Sequence, residues 1–237
     1  DMVMGGVTKY CSLEQALIKG IQAGIDLFIF KDTTPELVDC IDKLVKKIEA
    51  GEISEQRIDN SVQKILEKKE KYNLFKKQEA IQLFNCEEAN GLINEIASKT
   101  VKVVKKGKLL PLDKNKKYLI VMPDRSKIFN LSIDKESLST YLPGLQVDEY
   151  CFSPNPRQDE IGHIFKISIN YDAIIFISYN AHINSRQLDI CNNLAVPYIV
   201  ISTGLSFDAD YFENADSIIS TGCFKPPSLQ AVASIII

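Results

Sequence analysis

The chain has 237 residues, of which 45% are hydrophobic and 25% are charged. This balance is typical of a soluble globular protein, and it excludes a disordered chain, a collagen-like chain and a small disulfide-rich scaffold. The 28 Lys and Arg residues against 31 Asp and Glu residues give a formal charge of -3. The chain therefore has no basic excess that would favour nucleic acid or an anionic membrane as a partner.

Apolar runs and cysteines are the next signals for cellular location. No run reaches the roughly 18 apolar residues that a membrane-spanning helix needs, and the first six residues lack the features of a signal peptide. The six cysteines are scattered, without a Cys-x-x-Cys pair. We interpret them as reduced core residues of a cytoplasmic protein, although a longer form of the protein could be exported.

Residues 1–78 are predicted to be mostly helical. The order of elements is helix, strand, helix and helix, and residues 25–30 (Ile-Asp-Leu-Phe-Ile-Phe) form the apolar run of strand length. Most boundaries carry a residue that starts or stops a helix, namely Ser12, Gly24, Pro35, Gly51 and Ser54. The polar residues 79–85 are predicted to be a linker.

In residues 86–237, apolar strands and helical segments alternate. Residues 101–104 (Val-Lys-Val-Val) precede a turn at residues 106–107. The strands are predicted at 118–122, 147–152, 173–178, 198–202 and 217–220, and the strand at 147–152 is expected at an edge. The helices are predicted at 87–98, 135–141, 160–168, 185–194 and 226–237. Apolar strands that alternate with helices indicate an α/β domain with a mostly parallel, helix-covered sheet.

Few local motifs carry chemistry. The sequence has no phosphate-binding glycine loop, no Gly-x-Ser-x-Gly elbow and no metal-ligand cluster, so we predict neither a cofactor nor a metal site. Gly204 follows a predicted strand, where a tight turn explains it. His182 also follows the end of a predicted parallel strand, where ligands bind in open α/β sheets. Asn180 and His182 are therefore candidates for a ligand loop, although a loop hydrogen bond or a domain interface explains them more simply.

Asp32 directly follows the predicted strand at residues 25–30. Barrel enzymes place functional groups at this position. A cap or turn before the helix that begins near Pro35 is the alternative explanation. Asp1 also lies next to a strand-like run of residues.

Several stretches of the sequence together resemble a known family. They are Asp1-Met2-Val3-Met4-Gly5-Gly6-Val7, the Ala23-Gly24-Ile25-Asp26 strand, and Gly51-Glu52-Ile53-Ser54-Glu55-Gln56-Arg57-Ile58-Asp59-Asn60-Ser61-Val62, followed by Tyr179-Asn180-Ala181-His182 and Thr221–Leu229. In this order they resemble glycoside hydrolase family 3, in particular its β-N-acetylhexosaminidase branch. The β-glucosidase branch carries Trp after its nucleophile, and this chain contains no Trp.

The resemblance implies a C-terminal portion of such an enzyme. It would contain the last βα elements of an incomplete (β/α)8 barrel, followed by a C-terminal α/β sandwich. The family's reaction is retaining hydrolysis of terminal β-N-acetylglucosaminides, so a carbohydrate substrate is implied for the full-length protein. The nucleophilic Asp would lie just before Asp1, which leaves Asp1, Met4 and Asp32 at the margin of the substrate site. No complete catalytic pair is expected, and the fragment itself is expected to be inactive.

Two alternatives remain open at this stage. The chain could be a non-catalytic α/β ligand-binding or interaction domain, or it could come from a β-glucosidase or phosphorylase relative in the same family. A further expectation concerns association. The helix stripe of Ile58, Val62, Ile65 and Leu66 would have no barrel to cover, so exposed apolar surface and self-association are expected.

Overall fold

A computed structural model describes residues 1–31, 33–76, 86–129 and 136–237. The chain divides into two compact units, Asp1–Gln82 and Leu83–Ile237. The linker predicted at residues 79–85 lies outside the described residues. We describe each unit separately.

The first unit consists of helices in its described part. They are α1 (Gly5–Thr8), α2 (Leu13–Gln22), α3 (Pro35–Glu49) and α4 (Glu55–Lys71). At the start of α2, the Ser12 hydroxyl accepts a hydrogen bond from the Gln15 amide at 3.3 Å, and the Gln15 side chain accepts one from the Ser12 amide. This reciprocal capping box explains the predicted start of the helix. Ser54 precedes α4 as predicted, but its side chain makes no capping hydrogen bond.

The prediction of a strand at residues 25–30 is wrong. This segment has no regular secondary structure, and Leu27 and Ile29 are 68% and 67% exposed. Among the described residues, one backbone hydrogen bond joins it to the start of the chain, from the Met2 amide to the Ile29 carbonyl at 3.0 Å. A strand requires a ladder of hydrogen bonds to a neighbour. The described part of the first unit contains no neighbouring strand that could form this ladder. An apolar sequence alone is therefore not enough to make the segment a strand.

The second unit is built on one six-stranded sheet. Its strands are β1 (Lys102–Lys105), β2 (Lys117–Pro123), β3 (Gln146–Phe152), β4 (Ala173–Ser178), β5 (Tyr198–Ser202) and β6 (Ser217–Ser220). The order across the sheet is β1-β6-β5-β4-β2-β3, in which β1 is antiparallel to β6 and all other neighbours are parallel. The predicted α/β class with a mostly parallel sheet is confirmed, as is the position of β3 at an edge.

Helices and short helical turns connect these strands. The α-helices are α5 (Cys86–Thr100), α6 (Arg125–Phe129), α7 (Gln158–Ser168), α8 (Arg186–Asn192) and α9 (Pro226–Ile236), and the two 3-10 turns are Leu138–Tyr141 and Ser206–Tyr211. The helix predicted at 135–141 is therefore a 3-10 turn over its last four residues, while residue 135 lies outside the described part of the chain. None of the described helices is long and apolar enough to cross a membrane.

The core of the second unit lies on both faces of the sheet. Side chains alternate along the central strands, so that Ile175 belongs to the cluster on one face and its neighbour Phe176 to the cluster on the other. Both are completely buried. Strands that are buried on both faces have nearly continuous apolar sequences, which is why their positions could be predicted closely.

The cysteines are partly where we expected them. Cys40 and Cys191 are buried, and Cys191 lies among apolar neighbours, so that burial holds the pKa of its thiol well above the usual range. Cys151 is exposed. Its position on the edge strand β3 explains why it is not a core residue.

Candidate functional site

The loops that follow β4 and β5 meet at the carboxyl edge of the sheet, because these two strands are parallel neighbours. His182 lies in the first loop, and Asp208 lies in the 3-10 turn Ser206–Tyr211 of the second. The Nδ1 atom of His182 is 2.7 Å from the Oδ1 atom of Asp208. The structure thus brings together two side chains that are 26 residues apart in the sequence.

Asp208 is fully buried. Besides the His182 ring, its carboxylate accepts hydrogen bonds from the amide of Ala181 at 3.0 Å and from the amide of His182 at 3.3 Å. A buried carboxylate is stable only when donors surround it. Asp208 therefore fixes both the backbone of the His182 loop and the orientation of the imidazole ring.

The His182 ring is partly accessible to solvent. The His182 side chain is 22% exposed, and its ring also meets the edge of Phe207, with ring centroids 4.9 Å apart. In the neutral tautomer that donates from Nδ1 to the Asp208 carboxylate, Nε2 is a hydrogen-bond acceptor. The arrangement can orient a histidine toward a ligand or toward another protein surface.

Asn180 and Gly204 come into close contact beside this pair. Asn180 has a left-handed backbone with φ of 47°. A Cβ atom at Gly204 would lie 2.4 Å from the Asn180 Oδ1 atom and 2.7 Å from its amide nitrogen. Gly204 is thus required for the close approach of two loops, whereas the sequence analysis explained it only as a turn residue.

The first unit contains a second polar cluster, centred on Asp26. Its Oδ1 atom lies 3.0 Å from Nη1 of Arg57 and 2.8 Å from the Ser61 hydroxyl, and its Oδ2 atom lies 3.0 Å from Nζ of Lys64. Arg57 also donates to the carbonyls of Ile21 and Ile25 at 3.0 and 2.9 Å. Two of the stretches that carry the family resemblance, around Asp26 and around Arg57, are therefore held together by direct contacts.

The pKa of Asp26 is held below its usual value. The hydrogen bond from Ser61 is the largest cause, and the hydrogen bond from Lys64 comes next. Both stabilise the ionised carboxylate. Since Arg57 is engaged with the backbone and with Asp26 at once, this cluster joins the end of α2 to α4 and has a structural role.

The residues predicted for the margin of a substrate site lie at the start of the chain. Asp1 and Met4 belong to one exposed turn, in which the Asp1 carboxylate accepts a hydrogen bond from the Val3 amide at 2.9 Å. Met4 is 63% exposed. Asp32 lies outside the described residues. In the described part of the chain, no group of three or more His, Cys, Asp or Glu side chains is placed to hold a metal ion.

Sequence reasoning missed Asp208. A signal for it did exist, because Asp208 follows the end of one predicted strand and His182 follows the end of another. Parallel strands that are neighbours place their following loops at the same edge. The strand order was not known from the sequence, and without it the two residues could not be paired.

Comparison with known protein families gives a match for the first unit. Residues 1–68, which contain the Asp26 cluster, match the family model described as the glycosyl hydrolase family 3 N terminal domain. The first 68 residues are therefore similar to the N-terminal domain of glycoside hydrolase family 3. The match covers the family's N-terminal domain, so the expected position of the chain in the C-terminal portion of an enzyme is not confirmed and stays a prediction.

Solved structures extend the similarity over the whole chain. A family 3 β-N-acetylglucosaminidase from Paenibacillus sp. str. FPU-7 is 25% identical with a TM-score of 0.70, covering 98% of this chain and 47% of that one. A fungal multi-domain family 3 β-N-acetylglucosaminidase is 19% identical with a TM-score of 0.64, covering 99% of this chain and 28% of that one. The β-glucoside phosphorylase BglX is 18% identical with a TM-score of 0.57, covering 98% and 45%.

The chain thus spans about half the length, 47%, of the Paenibacillus enzyme. No curated protein matches it. The similar structures include both a β-N-acetylglucosaminidase and a β-glucoside phosphorylase.

Proposed function

We propose that this chain is part of a retaining β-N-acetylhexosaminidase that removes terminal β-N-acetylglucosamine residues. The observation that carries the proposal is the similarity to the Paenibacillus β-N-acetylglucosaminidase, which has a TM-score of 0.70 and 25% identity. The phosphorylase has lower values, 0.57 and 18%. The absence of Trp from the sequence also supports the hexosaminidase branch.

Retaining hydrolysis needs two groups on either side of the glycosidic bond. A carboxylate attacks the anomeric carbon while the acid/base group protonates the leaving oxygen, so that the glycosidic bond breaks and a glycosyl-enzyme forms. The same group then takes a proton from water, which attacks the anomeric carbon, breaks the glycosyl-enzyme bond and releases the sugar. In this proposal Asp1 is the neighbour of the nucleophile and Met4 belongs to the same turn at the margin of the site. The Asp26–Arg57 cluster holds the elements behind them. The chain by itself therefore lacks the catalytic pair and is inactive.

The test uses nitrophenyl glycosides as substrates. We expect the purified 237-residue chain to release no nitrophenol from either the β-N-acetylglucosaminide or the β-glucoside. A longer protein that includes the upstream coding sequence of the gene should hydrolyse the N-acetylglucosaminide in preference to the glucoside. Release by the chain alone would contradict its inactivity, and a preference for the glucoside would contradict the substrate assignment.

The phosphorylase similarity supports one alternative. The β-glucoside phosphorylase aligns with 98% of this chain, and a phosphorylase would transfer the sugar to phosphate rather than to water. The longer protein, assayed with and without inorganic phosphate, distinguishes the two reactions. Formation of a sugar phosphate would favour the phosphorylase, whereas free sugar at an unchanged rate would favour the hydrolase.

We further propose that the isolated chain self-associates through the first unit. Val38, Ile41 and Val45 on α3 are 47%, 49% and 46% exposed, and they recur at helical spacing on one face. Val62 and Leu66 on α4 are each 47% exposed. Exposed apolar faces of this kind favour association. Sedimentation of the chain as a monomer at high concentration would argue against it.

A further inference from the structure

The second unit contains a groove beside the end of β6, lined by α5, β1 and the first turn of α9. Its volume is about 760 Å³, which lies in the range of small-molecule sites. Every charged side chain among the described residues that line it is a lysine, namely Lys99, Lys102 and Lys225. The groove is therefore a local positive region on a chain whose formal charge is -3.

Two serine side chains point to a ligand in this groove. Ser220 and Ser228 both line it and are only 7% and 6% exposed. Neither hydroxyl has a hydrogen-bond partner in the described part of the chain. Unlike the hydroxyls of Ser178 and Ser202, these two are open to the groove rather than sealed in the interior. Donors that face a groove without a partner are available to a bound molecule.

Ser220 is also the outer member of a row of serines. Ser178, Ser202 and Ser220 are in register at the carboxyl ends of the parallel strands β4, β5 and β6. The hydroxyls of Ser178 and Ser202 are buried and have no partner among the described residues. Apart from Ser217, the other residues of β4, β5 and β6 are apolar or aromatic. Ser178 and Ser202 lie on the more central strands β4 and β5, and Ser220 on β6 lines the groove.

We propose that this groove binds a small oxyanion, of the kind carried by a phosphate ester or a carboxylic acid. Lys102 and Lys99 supply the positive charge, and the hydroxyls of Ser220 and Ser228 donate hydrogen bonds to the anionic oxygens. Ile93 and Ile96 on α5, which are 47% and 52% exposed, lie beside them and contact the apolar part of the ligand.

Side chains rather than the helix amides provide the donors. The first two residues of α9, Pro226 and Pro227, have no amide hydrogen, and the Ser228 amide donates to the Lys225 carbonyl at 2.9 Å. One of the lysines is partly neutralised, because Lys99 lies 2.6 Å from the carboxylate of Glu95. Since Lys102 has no ion-pair partner among the described residues, we expect the charge of the site to depend on Lys102 more than on Lys99.

The test is an NMR titration of the whole chain with inorganic phosphate and, separately, with acetate. Lys102→Gln should weaken binding of the preferred anion about tenfold, the loss expected for one charge-assisted hydrogen bond. Lys166→Gln is the matched control, because it removes an exposed lysine on α7 that does not line the groove. It should leave binding unchanged. Ser228→Ala should weaken binding by a smaller factor without unfolding the sheet.

The outcomes of these titrations have different meanings. Preference for phosphate identifies a phosphate ester as the ligand class, and preference for acetate identifies a carboxylic acid. Equal weakening by Lys102→Gln and Lys166→Gln would show non-specific attraction and would overturn the proposal. Binding of neutral N-acetylglucosamine that is insensitive to Lys102→Gln would overturn it as well, since the groove would then be a sugar site. Because the readout is binding, the result does not depend on hydrolase activity.

Discussion

The two units of the chain differ in how much apolar surface they cover. The sheet of the second unit is buried on both faces, and residues such as Ile120 and Phe176 have no exposed surface. In the described part of the first unit, the buried hydrophobic residues are few, namely Ala16, Leu17, Ile21, Leu37, Cys40 and Ile53. Since apolar burial is the main favourable term in folding, stability is concentrated in the second unit.

The same comparison shows what an amphipathic pattern predicts. The stripe of Ile58, Val62, Ile65 and Leu66 correctly predicted a helix, and α4 covers it. Val62 and Leu66 nevertheless remain about half exposed. Periodicity indicates which face a helix offers to a partner, whereas the presence of that partner depends on other parts of the protein.

The largest expected effect is on the free energy of unfolding of the second unit. Phe176→Ala removes a fully buried ring whose centroid lies 5.7 Å from that of Phe152 and 5.9 Å from that of Phe212. We expect it to lower the free energy of unfolding of the second unit by about 3–5 kcal/mol, because it leaves a cavity. Hydrogen exchange of the β4 amides measures this value.

Phe75→Ala is the matched control, since Phe75 is 66% exposed in the first unit. The same chemical change should there cost less than about 0.5 kcal/mol. If both variants lowered the free energy of unfolding by similar amounts, Phe75 would contribute to a core of the first unit despite its exposed side chain.

An intermediate effect is expected for the buried carboxylate of the second unit. Asp208→Ala leaves the amides of Ala181 and His182 and the His182 ring without their acceptor. We expect a loss of about 2–3 kcal/mol in the free energy of unfolding, together with a changed tautomer of His182. Chemical denaturation gives the first value, and nitrogen chemical shifts of the imidazole report the second.

Asp210→Ala serves as its control, because Asp210 is an exposed carboxylate in the same 3-10 turn. Asp210→Ala removes an equal charge, and it should change neither the free energy of unfolding nor the tautomer of His182. If Asp208→Ala left the His182 tautomer as it is, the hydrogen bond between the two side chains would not be what orients the ring.

The smallest expected effect is the pH dependence that Asp26 gives to the first unit. The pKa of Asp26 in the folded chain lies below its ordinary value of 3.8, first because of the Ser61 hydroxyl and next because of Lys64. A lowered pKa stabilises the fold above pH 3.8, and this stabilisation is lost as the pH falls through the folded value. Hydrogen exchange of the α4 amides, followed as the pH is lowered, should show the loss.

In Asp26→Asn the α4 amides should already exchange faster at neutral pH, and the acid-dependent change should shrink. Asp59→Asn, which alters an exposed carboxylate on the same helix, should keep the wild-type profile. An unchanged profile in Asp26→Asn would assign the acid sensitivity to other carboxylates.

The strands of the second unit could be predicted from the sequence because their burial on both faces leaves a local signal. Residues 173–178, 198–202 and 217–220 form strands with the predicted bounds. The segment 25–30 has the same apolar character, yet it forms no strand, because pairing depends on a neighbour that local composition does not specify. The short helices α1 and α6 and the turn at Ser206–Tyr211 were missed, since they carry little periodicity.

The candidate site was less predictable than the fold. The position of His182 after a strand was read correctly from the sequence, but its partner Asp208 depends on which strands are neighbours. The contacts between Asp26 and Arg57 likewise join residues that are 31 positions apart. Such pairings follow from the topology, and a single sequence does not contain the strand order or the packing of the helices.

The two edges of the sheet carry opposite charges. The edge strand β1 begins and ends with Lys102 and Lys105, whereas the edge strand β3 exposes Asp148 and Glu149. If two copies of the chain joined through the same edge, like charges would be placed opposite each other, which disfavours strand pairing. Charged edge residues are a common protection against the extension of a sheet from one molecule to the next. Sheet extension through like edges is therefore opposed, although both edges have unpaired backbone groups.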